Sequence, residues 1–329
     1  MIICAFTEDR WDALVAAVES VQQQTLPPDE IIVVIDHNTH LLERVRAQLP
    51  DVIAIENSGP RGLSGARNSG IALAQGALVA FLDDDAVAES DWLVQLSLCC
   101  MDPRVLGAGG AAEPLWLCTK PAWFPEEFYW VVGCSYRGLP QRLTTVRNLY
   151  GGCTCIRREV FEVVGGFRNG IGRVGTIPKG CEETELCIRA KQHWPQRVFV
   201  YEPLARIHHR IWPDRTSWRY FRSRCYAEGL SKAMVARYVG VNDGLASERT
   251  YMLHTLPRAI MHYLIAALLH QDLAGLARGA AIVIGLGVTT AGYLVGSVSL
   301  PMKKLKHILS RKKALLQNSE VITSTRAEL

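Results

Sequence analysis

The sequence predicts an α/β fold with a mostly parallel central sheet, followed by a helical C-terminal region associated with a membrane. Three observations predict it. Over the first hundred residues, short β-branched runs alternate with stretches whose apolar residues recur at helical spacing. Polar clusters follow the apolar runs at Thr7-Glu8, Asp36 and Asp83–Asp85, and parallel sheets bind ligands at the carboxyl ends of their strands. Finally, Gly279–Met302 carries no charged residue over about 24 positions, enough to cross a bilayer at about 1.5 Å per residue.

The elements can be read in order. Ile2–Phe6 is a short apolar strand, and Trp11, Leu14, Val15, Val18 and Val21 fall on one helix face. Pro27-Pro28 stops that helix, and Ile31–Ile35 is an unbroken β-branched run of the buried parallel type. Leu41–Gln48 reads as a helix, Val52–Ile55 as a strand, and Gly62–Ala74 as a glycine-rich entry into a helix. Ala77–Leu82 is a strand ending in three aspartates, and Asp91–Cys100 is a helix capped by Ser90 or Asp91. The βαβα order implies right-handed crossovers.

Residues 111–150 read as irregular, with Trp116, Trp123, Phe124, Phe128, Tyr129, Trp130 and Tyr136 crowded together. That cluster is either an acceptor platform or a packed core. Cys153–Arg157 is predicted as a strand, Arg158–Val164 as a helix, and Gly165–Gly180 as a loop with six glycines. Glu182–Trp194 is a helix and Val198–Tyr201 a strand, with His208 and His209 following that strand and a short loop. Trp218–Tyr238 is a long helix.

Hydrophobic residues make up 49% and charged residues 21%, which supports a large core and excludes disorder. A net charge of +4 argues against nucleic acid as a partner. The 10 cysteines form no CxxC pair and read as reduced thiols. The opening residues lack the pattern of a secretory signal, which places the catalytic part on the cytoplasmic face.

Toward the C-terminus, Gly292 and Gly296 form a GxxxG pair suited to close helix contact. Lys303, Lys304, Lys306, Arg311, Lys312 and Lys313 fit a flank on anionic lipid, and Ile260–Leu269 fits an interfacial helix. A glycine-rich helix in a soluble subdomain is the alternative. The expected division is a catalytic domain over 1–240 and a helical, membrane-attached region over 241–329.

Phe81–Ala86 carries the strongest chemical signal. Three aspartates at a strand end repel one another unless a cation sits among them. Oxygen ligands suit Mn2+ or Mg2+, and such a metal could neutralise a departing diphosphate. The competing reading is a polar strand end that merely precedes a helix cap.

Five segments together resemble a known family: Ile31–Asp36, Gly62–Gly70, Phe81–Asp85, Gly165–Phe167 and Cys181–Arg189. In order and spacing over roughly residues 1 to 240 they are similar to the family-two inverting glycosyltransferases of the GT-A nucleotide-sugar-binding fold. The resemblance implies a nucleotide-sugar donor, with uridine as the base. It implies that Thr7 and Glu8 line the nucleoside, and that Asp36 bonds the base. Only one of the family's two usual carboxylates survives there, because Ile35-Asp36-His37-Asn38 replaces Asp-Asp-Gly-Ser.

By the same match, Arg67 and Asn68 lie on the donor side, although Arg67 could instead form a structural ion pair with Asp83. Asp83 approaches the ribose and sugar, and Asp85 is the direct metal ligand. Asp84 fills the variable middle position, on the donor side or toward solvent. Glu183 matches the general base that takes the acceptor's proton, with Glu182 as its rival; helix-dipole complementation is the alternative role for both. His209, rather than His208, matches a histidine that completes the metal shell or touches the diphosphate; an ordinary surface or core histidine is the alternative.

The implied reaction is transfer to a hydroxyl of a lipid-linked or cell-surface glycan, of the lipid-linked-sugar glucuronosyltransferase type. A polyprenyl-phosphate sugar synthase is the second enzymatic reading. A carbohydrate-binding scaffold is the non-enzymatic one.

Overall fold

The computed structural model describes residues 1–298, apart from residue 176. Nine strands form one mixed sheet in the order β3-β2-β1-β4-β8-β6-β9-β5, with β7 paired to β9. The first four are parallel: β1 (Ile2–Ala5), β2 (Ile32–Ile35), β3 (Ile53–Glu56) and β4 (Leu78–Asp83). Between them run α1 (Trp11–Gln22), α2 (Thr39–Gln48) and α3 (Leu63–Leu73), all within two or three residues of the predicted bounds. β5 (Ala86–Ala88) and α4 (Trp92–Cys99) follow, with Asp91 as the capping residue.

Side-chain alternation explains why the strands read as continuous apolar runs. Ile3, Ala5, Val33 and Ile35 point into a core shared with Leu14, Val18, Leu41 and Trp92. Their neighbours Ile2, Ile32 and Val34 point into a second core with Ala66, Phe161 and Leu186. A strand buried on both faces has no polar face to show. Full burial of each such side chain stabilises by about 1.5–3 kcal/mol, so a charge at Val33 would break the sheet.

The short β5 and a strand over Thr144–Val146 were not predicted, and two long strands were not legible at their full extent. β6 (Val105–Trp116) and β9 (Val198–Ile211) are long parallel partners, where the sequence suggested irregular chain and a short strand. The glycines of β6 disguise it. A Cβ on Gly110 would stand 1.9 Å from the Ala205 carbonyl oxygen, so close backbone approach demands glycine there. The register of β9 shifts between its pairings with Gly110 and Ala111, a bulge that accommodates Pro203. His208 and His209 therefore lie within the same strand as Val198–Tyr201, with no separate loop between them.

The remaining elements are β7 (Thr144–Val146), β8 (Cys153–Arg157), α5 (Arg158–Val164), α6 (Glu182–His193) and α7 (Trp218–Val239). All ten cysteines are free thiols.

Most of the aromatic cluster resolves as packing, while Phe128, Trp130 and Tyr136 also line the large cavity. Phe124 and Phe128 are fully buried in a third core with Phe221, Leu256, Tyr263 and Ile282, and Trp116, Trp123 and Trp130 pack around it. Trp218 stacks on Phe221 at 5.2 Å. This core joins the sheet edge to two apolar C-terminal helices, Ser247–Leu269 and Leu273–Val298. Both are long and apolar enough to cross a membrane. The first is longer than the interfacial segment expected from Ile260–Leu269.

The GxxxG pair meets α7 of the same chain. A Cβ on Gly292 would lie 2.2 Å from the Tyr226 carbonyl oxygen, and one on Gly229 would lie 2.1 Å from that of Thr289. The two helices thus touch backbone to backbone. The basic cluster from Lys303 and the last residues of the predicted apolar span lie outside the described residues.

Candidate active site

The sheet brings the predicted polar clusters to one edge. Cys4 pairs with Asp83, and Ala5 with Ile35, so Asp36 and Asp83–Asp85 leave the sheet side by side. Ala86 pairs with His209 across β5 and β9, and the Arg210 N–H donates to the Asp85 carbonyl at 2.8 Å. That register seats His209 against Asp85. A cavity of about 700 Å3 opens over this edge, lined by Asp83, Asp84, Asp85, His209, Glu182 and Glu183 among others.

Asp85 is 2% exposed and its two oxygens have separate partners. Oδ2 pairs with Arg10 and Arg215, each at 3.1 Å, while Oδ1 lies 3.3 Å from His209 Nδ1. Burial opposes its charge, but His209, Arg215 and Arg10 outweigh that and hold the carboxyl well below its ordinary range. Asp84 is also buried, which corrects the solvent-facing expectation; it bonds Arg10 at 3.2 Å. Burial and the adjacent Asp85 push Asp84 up to about 7. Burial, with a smaller push from Arg215, lowers His209 below its ordinary value against the opposing pull of Asp85.

The second carboxylate pair sits at the start of α6. Arg67 is 3% exposed and spans both centres, donating to Glu182 at 2.9 Å, to the Gly151 carbonyl at 3.0 Å and to Asp83 at 3.4 Å. The predicted donor-side arginine is therefore also the structural ion pair, with Glu182 added to Asp83. Glu183 makes no ion pair among the described residues. Burial and the neighbouring Glu182 push its carboxyl up to about 8.

Of the other predicted residues, Thr7, Glu8 and Asn68 do not line the cavity. Thr7 caps a short 3-10 turn by accepting from the Asp9 N–H, and Glu8 pairs with His40 at 3.0 Å, so neither lines the cavity; Phe6 and Arg10 do. Asn68 is a clamp, bonding the Phe167 carbonyl and N–H at 2.8 Å each, which fixes the Gly165–Phe167 turn against α3. Asp36 lines the cavity, but its oxygens accept from Asn57 at 2.7 Å and from the Gly62 N–H at 2.9 Å. It anchors the loop that starts α3.

Arg10 and Arg215 escaped the sequence reading. Arg10 follows β1, the strand beside β4, and Arg215 lies six residues past His209. The signal was electrostatic: two buried carboxylates beside a third, partly exposed one need more than one cation.

Asp83, Asp85 and His209 each offer a ligand atom, all within 4.8 Å of one another. Two carboxylate oxygens and a neutral imidazole suit a divalent cation such as manganese. His209 Nδ1 is buried and has no hydrogen-bond partner among the described residues, although Asp85 Oδ1 faces it. A buried ring nitrogen with no hydrogen bond, facing a carboxylate oxygen, fits a metal.

Comparison with known proteins agrees with this geometry. Residues 1–165 match the model of glycosyl transferase family 2. The chain is 36% identical over 239 residues to a glucosyl-dolichyl phosphate glucuronosyltransferase of Haloferax volcanii, covering 71% of this chain and 76% of that one. It is 37% identical over 76 residues to a UDP-Glc:alpha-D-GlcNAc-diphosphoundecaprenol beta-1,3-glucosyltransferase of Escherichia coli, covering 22% of this chain and 30% of that one. Among solved structures, a mannosyltransferase of Pyrobaculum calidifontis in complex with GDP-Man and Mn2+ superposes with a TM-score of 0.56 at 19% identity, covering 91% of this chain and 85% of that one. On the matched residues and the shared fold, the chain belongs to glycosyl transferase family 2 and is a glycosyltransferase of the GT-A fold.

Proposed function

We propose that the protein is a metal-dependent, inverting enzyme that moves glucuronic acid from UDP-glucuronic acid to a hydroxyl of a lipid-linked sugar at the cytoplasmic face of a membrane. Residues 1–240 carry out the transfer and 241–329 attach it to the membrane. The observation that carries this reading is one cavity holding both the Asp83–Asp85–His209 cluster and an unpaired Glu183. The Haloferax relative supports the glucuronosyl group and the lipid acceptor. Arg173 and Lys179 on the cavity wall suit an acidic sugar.

Glu183 takes the proton of the acceptor hydroxyl as that oxygen bonds the anomeric carbon. The bond from that carbon to the diphosphate breaks on the far face, which inverts the centre. A carboxyl held near the working pH is suited to this proton transfer. Asp83, Asp85 and His209 would hold the cation, which when bound would supply positive charge against the departing diphosphate. Arg10 and Arg215 neutralise Asp85 in this structure and lie in the same cavity, where they can turn to the diphosphate. The imidazole favours Mn2+ over Mg2+.

Purified protein with Mn2+ and UDP-glucuronic acid, offered a glucosyl phospholipid, is expected to form a β-linked product by proton NMR. An α-linked product contradicts inversion. Binding of donor without transfer to any acceptor favours a carbohydrate-binding scaffold.

A further inference from the structure

Away from the aspartates, the cavity runs to a cluster of charges where α7 meets the first C-terminal helix. Arg147 forks onto Glu248 at 2.6 and 2.9 Å. Lys232 reaches Glu248 at 2.6 Å and Glu228 at 3.4 Å, and Arg224 bonds Glu228 at 2.7 Å. Side-chain exposure is only 13–14% for the three cations and 14–20% for the two glutamates, yet all five line the cavity. Burial opposes charge on both glutamates. Arg224 and Lys232 outweigh it at Glu228, and Lys232 with Arg147 at Glu248, holding each down to about 2. Three cations against two carboxylates leave a surplus of one positive charge.

A cluster built only to tie α7 to the C-terminal helix would be expected to balance, because unneutralised buried charge is costly. Here the surplus faces open space. Next along the same wall come Met252, Leu256 and Leu286 from the two C-terminal helices. Leu264, Ile265 and Leu268 continue the apolar surface outward on the first of these. One positive charge followed by an apolar wall is complementary to a phosphodiester bearing a lipid chain.

We infer that Arg147, Arg224 and Lys232 form a binding site for the phosphodiester of the acceptor, with the lipid chain leaving along the C-terminal helices. This rests on the lipid-linked acceptor of the proposed reaction and adds the residues that select for it. The sugar beyond the phosphate then extends along the cavity toward Glu183. The site distinguishes a phosphate-bearing acceptor from the same sugar on a plain alkyl chain.

The test compares KM for glucosyl citronellyl phosphate with KM for octyl glucoside, a phosphate-free probe. The wild type is expected to prefer the first by about 10-fold or more, the scale of one charge-assisted contact. Lys232→Met or Arg224→Gln should collapse that preference. Glu248→Gln should keep or increase it, because it raises the surplus charge. A wild type without preference overturns the site, as does a Glu248→Gln loss equal to that of Lys232→Met, which marks a purely structural network. Thermal-shift binding of glucosyl citronellyl phosphate needs no turnover. Binding that depends on Lys232 without transfer contradicts the proposed reaction and supports the site; transfer without phosphate preference contradicts the site alone.

Discussion

Arg67 donates to Glu182 at 2.9 Å across 115 residues of chain, and with the same guanidinium reaches Asp83. One buried fork thus ties the start of α6 to the end of β4. It occupies Glu182 and leaves Glu183 without an ion pair among the described residues, which favours Glu183 for the proposed proton transfer.

Loss of either partner of this pair strands a buried charge. Arg67→Ala is expected to cost about 3–5 kcal/mol, the scale of a broken buried ion pair. Urea denaturation measures it. A cost below about 1 kcal/mol would mean that the pair is solvated and orders nothing.

Glu183 sets opposite pH trends for stability and activity. Its folded-state carboxyl lies near 8, above the ordinary 4.5, so the folded protein binds the extra proton between these values. That contribution to stability is full below about 4.5 and is lost as pH rises through about 8. The Tm of Glu183→Gln relative to wild type should therefore climb from pH 5 to pH 8, by on the order of a few degrees. Activity of the wild type should rise over the same range, because only the ionised carboxylate accepts a proton. A Tm difference flat with pH contradicts the shift.

The metal centre predicts that Asp85→Ala and His209→Ala both weaken binding of Mn2+, measured by calorimetry with donor present. Asp85→Ala also frees Arg10 and Arg215 from their shared oxygen, so its loss in kcat should be the larger, on the order of 100-fold or more. Full activity in EDTA contradicts the centre.

Gly292 tests how the C-terminal helix is held. A leucine there would collide with the Tyr226 carbonyl and part the helix from α7. Gly292→Leu is expected to lower stability by about 1–3 kcal/mol. An unchanged Tm would show that this backbone contact carries no weight.

The parallel half of the sheet was legible because β-branched runs and helical periodicity are local signals. β6 and β9 were hidden because glycines and a proline, which mark turns locally, serve here for close backbone approach and a bulge. In the site, the aspartates announced themselves by mutual repulsion. Their partners Arg10 and Arg215 did not, because strand order and the β5–β9 register bring them in. Thr7, Glu8 and Asn68 were placed by motif; in the structure the first two are not among the residues lining the cavity, and the third is a backbone clamp. The aromatic run could not reveal its role, since a packed core and a sugar platform use the same residues.

The central claim is that Glu183 deprotonates the acceptor hydroxyl while Asp85 anchors the donor end of one cavity. Single-turnover transfer by Glu183→Gln, with UDP-glucuronic acid binding followed in parallel, tests it most directly. The predicted result is donor affinity within about twofold of wild type and a transfer rate lower by about 100-fold or more. Transfer by Glu183→Gln at the wild-type rate would contradict it, and would point instead to an acceptor already ionised.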